Sequence, residues 1–440
     1  MNVGSNESAE YLSDGVTTSL IDRFSRLPGL RVASRGAVDG YRDKPPSPQQ
    51  AGKDLKVEAV LSGSIEEKGG RLTIGVELVD ARDGRHIWGE RYVRRASEAP
   101  ALESEIAREI VDSLKFRLSG AERTRLQNQF TENAEAYQLY LKGRYHWNSW
   151  DLDKAREYFE KAIAKDPTYA LAYAGLADTY AKLGHDSRVR PSDAFPKARA
   201  AALEALKIDD ALVEARVALS GVHQCYDFDL KKAEAELREA IALQPDYAVA
   251  HRRYAQLLDT ERRFDAAIAE IRRAEALEPF AGINHGVAAS ILDNAGRPGE
   301  AAEERRKAEE LEPPASGDAR ARLEEAVAAY ERAGKEDPDS APDLEAWADL
   351  GYSYGVGGRR KDAERILRDM DQLAAQRYVP ASLRAVVYAG LGDRALAFEW
   401  LDKAMAEREP FIGSVNSDPR FASLRTDPRF ERVLRRLGLS

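Results

Sequence analysis

Few residues in this chain have the type and spacing for chemistry, and most fail on inspection. GYSYGVGGRRKD at 351–362 offers glycines and a basic end, as a phosphate-cradling loop would. It lacks the Gly-Lys-Ser/Thr ending and the preceding strand that aim backbone N–H groups at a phosphate. His251 and His285 stand 34 residues apart at equivalent places in successive segments and could meet around a metal ion. Two imidazoles without a third ligand make a poor metal site, so an inward-packed histidine is the plainer expectation. His223 and Cys225 are two apart on a predicted helix and point to different faces. Cys225 is the single cysteine, which excludes an internal disulfide and a Cys-based zinc site. There is no kinase catalytic loop. The carboxylates are so numerous that most must be solvated helix faces. The expectation is a non-enzymatic chain with no catalytic residue, cofactor or metal.

What survives is a surface. Tyr137, Tyr140, Arg144, Trp147, Lys182 and Arg252 fall on one face of successive predicted helices. Flat aromatics beside Arg and Lys suit an extended peptide with an acidic or carboxylate end. The alternative is that the first-unit aromatics pack against the amino-terminal domain. The spacing does not match the chaperone-type carboxylate clamp. The basic tail (Arg420, Arg425, Arg429, Arg432, Arg435, Arg436) is expected to be the polar face of a capping helix rather than a docking patch.

The elements that position this surface follow from a repeat. Ala-x3-large-x2-Ala-x4-Pro is met by Ala155, Phe159, Ala162, Pro167, by Ala233, Leu237, Ala240, Pro245, and by Ala267, Ile271, Ala274, Pro279. Ala301, Ala308 and Pro313 follow, with Arg305 in the large position. Pro245, Pro279 and Pro313 are spaced by 34. That period, with small residues at fixed places, is the mark of tetratricopeptide repeats. Gly143, Ala177, Ser220, Ala255 and Ala289 let helix A of each pair approach helix B. One pair cannot bury both its faces, so neighbours stack into a superhelix. The reading gives residues 131–415 about seven units. The second carries an insertion, GHDSRVRPSDAFP, and one near 314–343 is degenerate, because only 25 residues separate Pro313 from Pro338. Two DPRF strings in 416–440 predict short capping helices, since Asp before Pro starts a helix well.

Residues 1–130 have a different grammar. They carry 20 basic and 20 acidic residues, so the whole net charge of −9 lies in 131–440. That acidity argues against nucleic acid as a direct partner. No stretch is long and apolar enough to span a membrane, and no secretory signal is legible. Leu12, Val16, Leu20, Ile21 and Phe24 predict a helix over 11–27, stopped by Pro28-Gly29. A short strand is expected at Leu30–Ala33 and a short helix at Gln49–Leu55. Strands at Val57–Ile65, Leu72–Val79 and Ile87–Val93, turned at Lys68-Gly69-Gly70 and Asp83-Gly84, form an antiparallel meander. A helix over Leu102–Leu118 ends near Ser119-Gly120. The fold class is a small α/β (or α+β) amino-terminal domain followed by an all-α superhelix, an α-solenoid.

EYLSDGVTTSLIDRFSRLPGLRV, VEAVLSGSI and LVDARDGRHIWGERY resemble the TolB-like amino-terminal domain found beside tetratricopeptide arrays in bacteria. AEAYQLYLKGRYHWN with KAREYFEKAIAKDPTYALAYAGLADTY resembles how such arrays begin, and DPRFASLRTDPRFERVLRRLG how they end. The resemblance implies a protein-binding scaffold, the sensory-regulatory arm of a signalling system. It also implies an effector upstream: a serine/threonine kinase, a nucleotide cyclase or a winged-helix regulator. As written the chain reads as cytoplasmic, or extracytoplasmic if a membrane span lies upstream. Relatives place an apolar strand before the Asn2-Val3-Gly4 stretch, where this sequence has Met1. The expectation is an exposed sheet edge beside Leu30–Ala33, open to self-association. Restoring about six upstream residues, an ordinary strand length, should then reduce association in light scattering and raise the first domain's melting temperature.

Overall fold

The computed structural model describes residues 7–25, 45–68, 71–95, 98–114, 131–311 and 344–439, with Leu27, Leu30, Val32, Ala33, residues 35–39 and Tyr41. Pro28-Gly29, Gly69-Gly70, Ser119-Gly120 and the expected defect at 314–343 lie outside these residues.

The amino-terminal part opens with α1 (Glu7–Ser25), whose helical stripe buries Leu12, Leu20 and Phe24. The short α2 (Arg35–Asp39) follows, then α3 (Pro48–Leu55). Ser47 Oγ accepts from Gln50 N at 3.2 Å and Pro48 sits in the first turn, so α3 starts where a cap and a missing N–H favour it. Strands β1 (Ala59–Lys68), β2 (Arg71–Asp80) and β3 (His86–Arg95) make an antiparallel sheet in that order. Ile65 faces Ile74, and Ile74 faces Tyr92. With Leu72 and Leu78 they form the buried face that period-two alternation requires. Helix α4 (Ala99–Ser113) lays Leu102, Ile106 and Ile110 over the same core. One expectation fails here. Leu30, Val32 and Ala33 are not in a strand, although Leu30 and Val32 pack their side chains against the core. Four residues fix burial, but a strand exists only where a neighbour supplies the ladder. Arg35 opens α2 and pairs with the buried Asp14.

The array is built from paired helices. They are α5 (Ala134–Asn148) with α6 (Leu152–Lys165), α7 (Ala170–His185) with α8 (Pro191–Ile208), and α9 (Val213–Val222) with α10 (Leu230–Leu243). Then come α11 (Ala248–Thr260) with α12 (Phe264–Leu277), and α13 (Gly282–Asn294) with α14 (Pro298–Leu311). The pattern resumes in α15 (Leu344–Val356) with α16 (Arg360–Ala374), and α17 (Ala381–Gly390) with α18 (Arg394–Ala406). The expected insertion in the second unit is mostly helix: α8 already begins at Pro191, leaving 186–190 as the turn. Between α9 and α10, residues His223–Asp227 widen into one π turn rather than a regular helix. The turn inside each pair needs a residue at positive φ. Gly296, Gly358 and Gly392 supply it at 73–75°, but Trp150, Phe228 and Arg262 occupy it at 55–60°. A side chain there costs about 1–2 kcal/mol.

The carboxyl-terminal module closes with two 3₁₀ turns, Pro410–Ser414 and Pro419–Leu424, and with α19 (Pro428–Arg436). Both DPRF strings do the same work. Asp418 and Asp427 accept from the backbone N–H two residues on, and each pairs with the Arg at that position. Phe421 and Phe430 are driven into the module's core.

One apolar cluster runs without a break from the sheet through α1 and α4 into α5, α6 and α7. At its centre is a buried charge knot. Glu103 accepts from Ser19 Oγ at 2.6 Å, from Arg23 Nε at 2.6 Å and from the Tyr137 hydroxyl. Removing one partner of a buried ion pair strands the other charge, at about 3–5 kcal/mol. Glu103→Ala should therefore lower the stability of α1, α4 and the first two repeats together. Urea unfolding followed by backbone hydrogen exchange will read this as one shared loss.

Candidate peptide-binding groove

Helix A of each pair carries the residues expected to line the superhelix. The structure divides them. Tyr137, whose hydroxyl donates to Glu103, is buried against the amino-terminal domain. Tyr140 is also buried, with its ring tilted on Phe159 at 5.8 Å and on Tyr169 at 5.1 Å. Both therefore belong to the core, Tyr137 under Glu103 of α4 and Tyr140 against Phe159 of α6 and Tyr169. Trp147 is half-buried against Leu152, Tyr180 and Leu183 and stacks on Trp150 at 6.4 Å and 21°. Trp150 itself is 61% exposed, and the Lys182 ammonium lies 4.8 Å over its ring while holding Asp186 at 2.6 Å.

Arg144, Lys182 and Arg252 all act electrostatically on one residue absent from the expected set, Asp178. Asp178 is faced by Arg253, Arg144, Arg252 and Lys182, yet burial outweighs these cations and pushes its carboxyl up from the usual range. Arg252 is pulled down to about 10, first by burial and then by its neighbour Arg253, with Glu278, Tyr247 and Asp178 opposing. The signal for Asp178 was present: it lies 34 residues after Arg144, at the same place in the next unit. Arg253 adjoins Arg252 in sequence, but only the stacking of units brings it to Asp178. The four cations share this region with three carboxylates, Asp178 itself, Glu278 beside Arg252 and Asp186 on Lys182.

The two histidines are structural. His251 Nε2 donates to the Pro245 carbonyl at 2.9 Å, and Nδ1 meets Glu270 at 2.6 Å. His285 repeats the device one unit later, with Pro279 at 3.2 Å and Glu304 at 2.7 Å. Each ties the preceding turn to its own helix B. Among the described residues, Glu275, His285 and Glu304 bring ligand atoms within 4.8 Å of one another. Arg272 and Lys307 already hold Glu304 at 2.6 and 3.0 Å, so a dication would have to displace them. Cys225 lies in the π turn, and burial raises its thiol pKa, which suppresses thiolate chemistry.

Helix pairs repeating in phase define a class, the tetratricopeptide α-solenoid. Two tetratricopeptide-repeat family models match the chain, over residues 136–169 and 158–188. Over 179 residues the chain is 30% identical to "Putative adenylate cyclase 3" of Rhizobium meliloti (strain 1021), covering 40% of this chain. It spans 30% of that relative's length. Similar solved structures include a thermophilic tetratricopeptide protein of Thermus thermophilus (23% identity, TM-score 0.37, covering 44% of this chain and 98% of that one). Another is YrrB, a tetratricopeptide protein with an unusual peptide-binding site (17% identity, TM-score 0.28, 45% and 94%). The chain thus carries tetratricopeptide repeats, and no helix among the described residues is long and apolar enough to cross a membrane.

The His285 clamp gives a pH dependence. Its hydrogen bonds, to Glu275 first and also to Glu304, lift its pKa from 6.5 to about 9. The folded state therefore holds this proton more tightly than the unfolded chain does. The stabilisation is complete below about pH 6.5 and disappears as pH rises through about 9. His285→Gln should cost about 1.5–3 kcal/mol near neutrality and much less above that upper pH, as read from urea midpoints across the range.

Proposed function

We propose that the chain is a non-catalytic interaction module that captures an acidic segment of a partner protein on the inner face of its repeats. The observation that supports this is the gathering of Arg144, Lys182, Arg252 and Arg253 around Asp178 in a chain whose net charge is −9. An acidic partner segment would meet a local field opposite in sign to the protein's overall charge. Trp147 and Trp150 at the rim offer flat apolar area beside the cations. Tyr137 and Tyr140 drop out of this site, and Arg144, Trp147, Lys182 and Arg252 remain in it, joined by Asp178 and Arg253.

The resemblance of residues 1–130 to TolB-like domains extends the reading to signalling: the amino-terminal part would sense or relay, and the array would recruit. A second reading is favoured by the cyclase relative. The chain would then be the regulatory portion of a nucleotide cyclase, or by resemblance of a serine/threonine kinase or a transcription regulator, working in the cytoplasm.

Fluorescence anisotropy with a short labelled peptide rich in Asp and Glu tests the groove. Binding should weaken with salt, and Arg252→Ala/Arg253→Ala should weaken it by roughly tenfold or more, as loss of charged anchors does. Equal binding of a Lys-rich peptide, or an unchanged affinity in the double variant, would sink the reading.

A further inference from the structure

The third repeat and the carboxyl-terminal module meet through a contact that neither core requires. On the array side, the π turn His223–Asp227 ends in Phe228 at φ 55°. Asp227 is held in place by Arg199 at 2.5 Å and by His223 Nδ1 at 2.9 Å. From the other side comes Arg408, itself at φ 54°. Its guanidinium lies 5.1 Å over the Tyr226 ring, donates to the Tyr226 carbonyl at 3.3 Å and reaches Asp227 at 3.7 Å. Arg190, in the turn of the second repeat, lies 5.2 Å over the Tyr378 ring. The apolar contacts are reciprocal. Phe228 packs against the module's core, and Leu439 packs against the cluster that holds Leu230, Leu237 and Leu257.

We propose that the carboxyl-terminal module, residues 344–439, is a detachable clasp on the third repeat, keyed on Phe228 and Asp227, whose release uncovers the turn at 223–228. Two features carry this. First, the equivalent turn place holds Ser187 and Arg262 in the repeats on either side and glycine in three later ones (Gly296, Gly358, Gly392), so the backbone there asks for no aromatic. A bulky residue kept in a left-handed conformation points to a use for its side chain, and the side chain of Phe228 is spent on the module. Second, the array and the module each close a separate apolar cluster. The polar links between them are half exposed, with Arg408 at 50%, and such contacts hold weakly in water. A joint of this kind opens well below the free energy of global unfolding.

Cys225, the only thiol, sits inside the clasped turn and reports its opening. The test is the rate of labelling of the full chain by an aromatic disulfide reagent, compared among wild type, Phe228→Gly and Arg408→Ala. Phe228→Gly removes the anchor while relieving the left-handed backbone. Arg408→Ala loosens the clasp from the module side and leaves the turn's own residues intact. Both variants should label faster by roughly tenfold, the effect of losing one anchor side chain, with the helix melting curve unchanged. Unchanged labelling in both overturns the proposal. Acceleration in Phe228→Gly alone also overturns it, because the turn would then be loosening by itself. If Arg408→Ala lowers the melting temperature, Leu439→Ser, at the far end of the same contact, is read by the same criterion. These rates involve no peptide ligand, so the clasp and the groove fail separately.

Discussion

Helix A and helix B of each pair sit so close that only a small residue fits between them. The ring of Phe159 shows the constraint from both sides. A Cβ on Gly143 would lie 2.6 Å from it, and one on Gly175 would lie 2.7 Å from it. Between helix A of one pair and helix A of the next the approach is as close, a Cβ on Gly351 lying 2.7 Å from Val387. Packing at that distance leaves no slack, so each unit takes one angle to the next and the units stack in phase. Everything that depends on neighbouring units inherits that phase. Arg144 and Asp178 stand at the same place in consecutive units, and Arg252 and Arg253 reach them from two units further on.

Close packing also explains how the charged groups are arranged. A helix face that cannot move apart cannot admit water to a stray charge, so buried polar groups are paired or proton-bearing. Glu103 takes Arg23, Ser19 and Tyr137. Burial pushes the Glu304 carboxyl up, but hydrogen bonds from His285, Arg272 and Lys307 outweigh it and hold the group down to about 2. Glu409 receives the Ala381 and Ser382 N–H groups at the start of α17, at 2.6 and 2.9 Å, and burial still raises its carboxyl. Asp178 behaves as Glu409 does: burial raises its carboxyl although Arg253, Arg144, Arg252 and Lys182 oppose it.

The amino-terminal part and the first two repeats share one core, so they are a single mechanical body. The sheet reaches α5 through α1 and α4, and Gly15 of α1 sits where its Cβ would lie 2.8 Å from Leu141 of α5. A ligand or partner that shifts α1 therefore bears directly on the first helix of the array. Among the described residues the carboxyl-terminal module meets the array differently, through side chains at the turn 223–228 and at Arg190. The two ends of the array thus differ in kind: one is fused and the other is clasped.

The sequence by itself determined the repeat. Its period, its small residues, the paired DPRF starts and the inward stripe Leu72, Ile74, Leu78 are all local consequences of helix and strand geometry, and the structure carries each of them. It also determined that His251 and His285 would do the same job, because a fixed period puts equal residues in equal surroundings. What it could not determine was which face of a helix a third element would cover. Tyr137, Tyr140, Arg144 and Trp147 lie on one face of α5 by spacing, and only tertiary packing buried the first two and left the others half-buried. Leu30, Val32 and Ala33 are strand-like residues outside any strand, since pairing is decided by the neighbour. Asp178, Arg253 and Phe228 acquire their surroundings from units far away in sequence, and periodicity within a unit carries no record of those distances.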